Sequence, residues 1–114
     1  MNGFVRNAHT EKLQQYSIEE SRVVDGSPVV SYSKIWQSAD GSVTHGLWEM
    51  SAGTIRDFRA DESFIVISGR ATIEFQNREE VQELTQGSLC VLRKTDPATI
   101  TVHDTLRKLF AHHS

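Results

Sequence analysis

From Arg22 onward the chain is a succession of short apolar and β-branched runs cut by turn residues. The runs read RVV, VVSYSKIW, SVTHGLWEM, TIRDF, SFIVIS, ATIEF, VQEL, SLCVL, ATITVH and LRKLFAHH. Between them lie DGSP, SADG, SAG, RADE, GR, QNREE, TQG, RKTDP and DT. Strands recurring every ~8–12 residues, with Gly, Asp, Asn and Pro between them, predict a β-sandwich or barrel. No segment of about 12 residues or more keeps a helical period, so no long amphipathic helix is expected. Asp40-Gly41 predicts a hairpin turn. Gly69 and Gly87 predict sharp turns, and Pro97 ends any central strand.

Residues 1–20 break this pattern. They are polar and weakly helical, and Thr10-Glu11-Lys12 could open a short helical turn. The segment reads as a loosely attached N-terminal arm, with one domain over 21–114. Within that domain Phe64-Ile65-Val66-Ile67 is apolar on consecutive positions. A strand of that kind is covered on both faces. The cover is either a second copy, giving a homodimer, or the arm.

Composition narrows the class. A chain of 114 residues is one domain, long enough to bury a core. Hydrophobic residues make up 38% and charged residues 24%, as in an ordinary soluble protein. The net charge of −3 supplies no basic field for nucleic acid or an anionic membrane surface. Cys90 is the one cysteine, so no intrachain disulfide can form. Its place in SLCVL reads as a packed thiol. The N-terminus has no apolar signal region, and no run approaches the ~20 residues of a membrane span. A cytoplasmic protein without nucleic-acid or membrane partners is expected.

A set of spaced residues is more specific. Gly46, Trp48, Glu49 and Gly53 come first, then Glu62 with Gly69-Arg70, then Gly87, then Arg107-Lys108 before Phe110. In order and spacing they resemble the small single-domain cupins of the (S)-ureidoglycine aminohydrolase and ethanolamine-utilisation type. The resemblance runs from Gly46 to Phe110. It implies an all-β fold, a cupin jelly-roll or double-stranded β-helix barrel, here with a short N-terminal arm.

The resemblance also implies a metal test. A metal-binding cupin supplies His, His and Glu from its first motif and a His from its second, a donor set for Mn, Fe, Ni or Zn. Glu62 is present. Six and four residues before it stand Arg56 and Phe58, and the alternative spacing gives Ile55 and Asp57. In the second motif Arg93, Thr95 and Ala98 stand where proline, glycine and histidine are needed. Neither a metal nor another cofactor is therefore expected. His45 shares a strand face with Leu47 and Glu49, opposite Trp48, and faces out if Trp48 is core. In a jelly roll both His45 and His103 could otherwise approach the interior near Glu62, and whether either rebuilds a metal site stays open. His9 lies in the arm, and His112 and His113 read as solvated.

Candidate chemistry centres on Glu62. A buried carboxylate must be paired or protonated. Arg56 or Arg59 is the expected partner, and such a pair could bind or deprotonate a small polar ligand. It could equally be a salt bridge in a pocket that has lost its chemistry. Trp48 and Tyr32 would line the ligand site, although Trp48 and Trp36 could also simply fill the core. Arg107 and Lys108 read as surface charge, and Arg78-Glu79-Glu80 as a solvated hairpin tip. No phosphate loop or nucleophile elbow is present.

Three functions remain. One is binding of a small polar metabolite in the barrel interior. Another is a lyase, isomerase or amidohydrolase-like enzyme using Glu62 with His103 or Tyr32 as an acid–base pair. The third is a non-catalytic regulatory or interaction module with a filled interior. The strand register between Gly53 and Glu62 stays open, and a one-residue slip there exchanges inward for outward side chains.

Overall fold

The structure is a computed structural model describing residues 2–114. The strands are β1 (Gln14–Tyr16), β2 (Val23–Asp25), β3 (Val30–Gln37), β4 (Val43–Met50), β5 (Gly53–Phe58), β6 (Glu62–Phe75), β7 (Val81–Leu84), β8 (Leu89–Leu92) and β9 (Ala98–His113). A single 3₁₀ turn at Glu20–Arg22 precedes β2. Among the described residues no helix is long and apolar enough to cross a membrane.

The two long strands organise everything else. β6 and β9 pair antiparallel from Glu62↔His112 to Phe75↔Ala98. Each then serves two layers. The C-terminal half of β9 pairs with β4, which pairs with β3 and through it β1, while the N-terminal half of β6 pairs with β8. The other half of β9 pairs with β5, which pairs with β2, and the other half of β6 pairs with β7. The sheet thus curls on itself as an antiparallel cupin-type jelly roll. Alternation sends Val30, Met50, Phe64, Val66, Ile73, Ile100, Val102 and Leu106 into the space between the layers, where each is at most 2% exposed.

Gly69 does not make the expected sharp turn. SFIVIS and ATIEF are one strand, and so are ATITVH and LRKLFAHH. Gly69 has φ 95°, and the β6–β9 register shifts between Val66 and Ala71. A Cβ there would lie 2.0 Å from the Thr105 carbonyl oxygen. The glycine bends both strands around a corner they share, as a bulge does, instead of reversing the chain.

The other turns match the pattern. Asp40-Gly41 joins β3 to β4, where the Asp40 carboxylate accepts from the Ser42 N–H and from the Ser42 and Ser38 hydroxyls. These donors, the Ser42 backbone first, hold its pKa down at about 2. Gly87, at φ 90°, makes the turn into β8.

The N-terminal segment is bound to the barrel rather than loosely attached. β1 adds to the edge of β3 through Gln14↔Tyr32 and Tyr16↔Val30. Arg107, 8% exposed, donates from Nε to the Ala8 carbonyl at 2.8 Å and from Nη2 to the Glu11 carbonyl. Its Nη1 also lies 3.6 Å from the Glu49 carboxylate. Arg107 is therefore not free surface charge but the clasp that holds the arm.

Candidate functional site

The open register between Gly53 and Glu62 resolves at a bulge. Ile55 pairs with Ile100, but the next pair is Phe58 with Ala98. Asp57 between them has φ 55°, in the left-handed region that Asp tolerates better than most residues. The extra residue leaves both Ile55 and Phe58 facing inward and turns Arg56 and Asp57 out.

Along the first layer the inward residues form rows. Tyr32, Trp48, Lys108 and Val66 make one row, and Phe110 and Phe64 lie in the next. His112 and Glu62 face each other beyond them. Gly46 leaves room for the Phe110 ring, since a Cβ there would meet its Cζ at 2.7 Å. Tyr16 reaches in from β1, and its hydroxyl accepts from Trp48 Nε1 at 2.8 Å. Tyr16 and Tyr32 meet edge to face, with ring centroids 5.4 Å apart.

Lys108 is the centre of this arrangement. It is 1% exposed, and its Nζ donates to Glu62 Oε2 at 2.7 Å. The ammonium lies 4.1 Å from the Phe64 ring centroid and 4.6 Å from those of Trp48 and Phe58. Burial pushes the Lys108 pKa down from the ordinary lysine value, and the Glu62 carboxylate opposes that. Burial likewise raises the Tyr16 pKa, against the hydrogen bond from Trp48. Outside the pair opens a cleft of about 460 Å³, walled by Tyr16, Tyr32, Trp48, Phe58, Phe110 and His112, with Glu62 and Lys108 lining it as well.

Of the residues expected in a site, Glu62, Trp48 and Tyr32 meet at this cleft. The arginines do not. Arg56 donates to the Ser21 carbonyl at 3.0 Å and lines an exposed polar groove with Asp57, Glu74 and Arg78. Arg59 is exposed beside Asp57, 4.0 Å away. The partner of Glu62 is Lys108, because the bulge carries Arg56 outward. Nor does His103 approach Glu62. It is exposed on β9, nine residues before His112, the residue opposite Glu62. At ~3.3 Å per residue that is roughly 30 Å along the strand. His45 faces out and meets Trp36 edge to face at 5.2 Å.

Besides Phe110, which entered the sequence reading only as an aromatic of the resemblance, four cleft residues were not expected there: Tyr16, Phe58, Lys108 and His112. Two had a signal. In LRKLFAHH, Lys108 and His112 fall on the same alternate positions as Leu106 and Phe110, so an inward Leu106 brings both inside. Lys108 is thus buried charge, and His112 is a wall residue.

The residues present do not fit the metal that the fold family implies. Of the positions tested, Ile55, Phe58 and Ala98 point inward and offer no donor atom. The carboxylate that remains already holds the Lys108 ammonium. Among the described residues, no three of His, Cys, Asp and Glu are grouped to hold an ion.

Comparisons with known proteins agree with the geometry. The family model of the EutQ-like cupin domain matches residues 37–110. Among solved structures, the chain is similar to a DUF861-family protein of unknown function from Pseudomonas syringae, with TM-score 0.79 and 16% identity over 90% of this chain. It spans 45% of that chain's length. The EutQ protein of Clostridium difficile is similar at TM-score 0.63 and 22% identity, over 86% of this chain and 80% of that one. The cupin domain of Schizosaccharomyces pombe Cnp3 is similar at TM-score 0.66 and 12% identity, over 95% and 67%. No curated protein matches the sequence.

Proposed function

Because the chain belongs to the EutQ-like cupin family, we propose that it keeps the family's barrel mouth as a ligand site and uses an internal cation there in place of a metal. The ligand is a small polar metabolite. The observation that carries this reading is the Lys108–Glu62 pair, 2.7 Å apart, lining an aromatic cleft that opens to solvent. A pair retained only for packing has no need of an open cleft beside it. Aromatic walls give area and shape, and a few polar atoms fix orientation, which is how small-molecule sites are commonly built. Two phenols, an imidazole and an ammonium favour a ligand bearing carbonyl or carboxylate oxygens.

A thermal-shift screen with small carboxylates, amides and carbonyl compounds tests the reading. Tyr32 is 41% exposed and sits on the cleft wall, so Tyr32→Ala spares the core. Shifts that shrink in Tyr32→Ala support the site. Shifts that persist unchanged in both Tyr32→Ala and Glu62→Gln place the ligand elsewhere.

A second copy is the proposed partner. Ile65, Leu89, Val91 and Leu109 stand 38–75% exposed on the outer face of neighbouring strands β6, β8 and β9. Without charge at its centre, this strip can face itself across a two-fold axis. Light scattering on wild type and Leu89→Asp decides it: a dimer that the aspartate splits supports the assignment, and a wild-type monomer removes it.

A further inference from the structure

We infer that Lys108 is a covalent anchor for a carbonyl ligand: its amine condenses with an aldehyde or ketone in the cleft to form a Schiff base, with Glu62 as proton carrier. This rests on the ligand site proposed above and names the chemical class it takes.

Three features of the geometry point the same way. First, the amine is enclosed by three aromatic rings 4.1–4.6 Å away and has one hydrogen-bond partner, Glu62. Burial of the amine favours the neutral, nucleophilic form of a lysine, against the ring faces and the carboxylate that favour the cation. Second, the neighbour is a carboxylate in direct hydrogen bond with the amine, so the proton that must leave has an acceptor 2.7 Å away. Third, the cleft that Lys108 helps to line carries hydroxyl hydrogens. Tyr16 Oη already accepts from Trp48 Nε1, which leaves its own O–H to donate to another acceptor, such as a carbonyl oxygen.

The reaction balances without any co-reactant. The Lys108 ammonium gives one proton to Glu62. The freed nitrogen lone pair attacks the carbonyl carbon, and the C=O π electrons move onto oxygen. A proton passes from nitrogen to that oxygen, giving a neutral carbinolamine. Glu62 returns its proton to the hydroxyl, the C–O bond breaks, and water leaves. The product is a protonated imine, so one positive charge still faces the Glu62 carboxylate at the end. The pair's electrostatics are conserved, whereas an uncharged adduct would strand the carboxylate in the barrel.

The chain carries its own controls, since Lys12, Lys34 and Lys94 are exposed. Benzaldehyde suits the aromatic walls as a probe, and benzyl alcohol is its non-condensing counterpart. The folded wild-type protein is incubated with benzaldehyde at neutral pH and trapped with cyanoborohydride. Adducts at the four lysines are then quantified by peptide mass spectrometry. The expected result is labelling of Lys108 at least about a hundredfold faster than the exposed lysines, the gain typical of a positioned proton acceptor. Equal or slower labelling of Lys108 overturns the inference. If both probes still raise the melting temperature while Lys108 stays unlabelled, the covalent step falls and the ligand site stands. If neither probe shifts melting and Lys108 stays unlabelled, both fall.

Discussion

Replacing Glu62 by glutamine leaves the Lys108 ammonium at 1% exposure with no counter-ion. Removing one partner of a buried ion pair costs about 3–5 kcal/mol. The glutamine carbonyl can still accept from Nζ, a bond that contributes about 1 kcal/mol. The three ring contacts are present in both proteins and cancel. A net loss of ~2–4 kcal/mol follows, a large part of the ~5–15 kcal/mol that holds an ordinary domain folded. At ~4–8 °C per kcal/mol for a domain of this size, Tm should fall by roughly 10–30 °C. Urea titration followed by fluorescence measures the free-energy loss and a thermal melt the shift in Tm, because Trp48 is buried beside the lysine.

The pH dependence adds a signature. Without Glu62 the folded-state pKa of Lys108 lies well below its unfolded value, since burial is no longer opposed. Below that folded pKa the loss is complete. Between it and the unfolded value the unfolded chain holds a proton that the folded chain does not, so stability climbs with pH and the loss shrinks. The double variant Glu62→Leu/Lys108→Met should recover to within about 1 kcal/mol of wild type or exceed it, because well-packed apolar groups often match a buried pair. A Glu62→Gln loss below about 1 kcal/mol, or a double variant as weak as the single, would refute the assignment of a desolvated pair.

Burial raises the Cys90 pKa to about 11, so the native thiol should resist iodoacetamide at pH 8 and react fully in urea; native labelling at the rate of a free cysteine would show that the SLCVL strand opens. Gly69→Ala places a Cβ on the Thr105 carbonyl oxygen and should cost about 3 kcal/mol or more, seen as loss of the cooperative urea transition. Arg107→Ala removes both hydrogen bonds to the arm and should speed amide exchange over residues 14–16 while leaving β6 and β9 protected. Unchanged exchange there would mean that β1 pairing alone holds the arm.

The all-β barrel was legible because turn residues recur at strand spacing and because Glu62, Gly69 and Gly87 stand at cupin intervals. Gly69 shows where legibility ended. A glycine at positive φ looks the same in sequence whether it reverses a chain or bends a strand, and only the Thr105 carbonyl against it decides. The site was half legible. Glu62, Trp48 and Tyr32 could be placed by register, but Asp57 carries no periodic signal for its bulge. Arginine therefore looked like the partner of Glu62. Lys108 was hidden by its own chemistry: a charge near the end of a chain reads as solvated until its Leu106–Phe110 face is known to point inward. Tyr16 lies too far upstream for any local pattern to tie it to Trp48.

The attached arm separates two units that are easily confused. Residues 37–110 carry the family signature, and the buried pair on the cleft lies wholly inside them. Tyr16 and Tyr32 precede that segment, and His112 follows it. Three of the six wall residues thus come from outside the stretch that carries the buried pair, and three (Trp48, Phe58 and Phe110) from inside it. A change in the first strand would therefore alter the cleft wall at Tyr16 while leaving the Lys108–Glu62 pair in place.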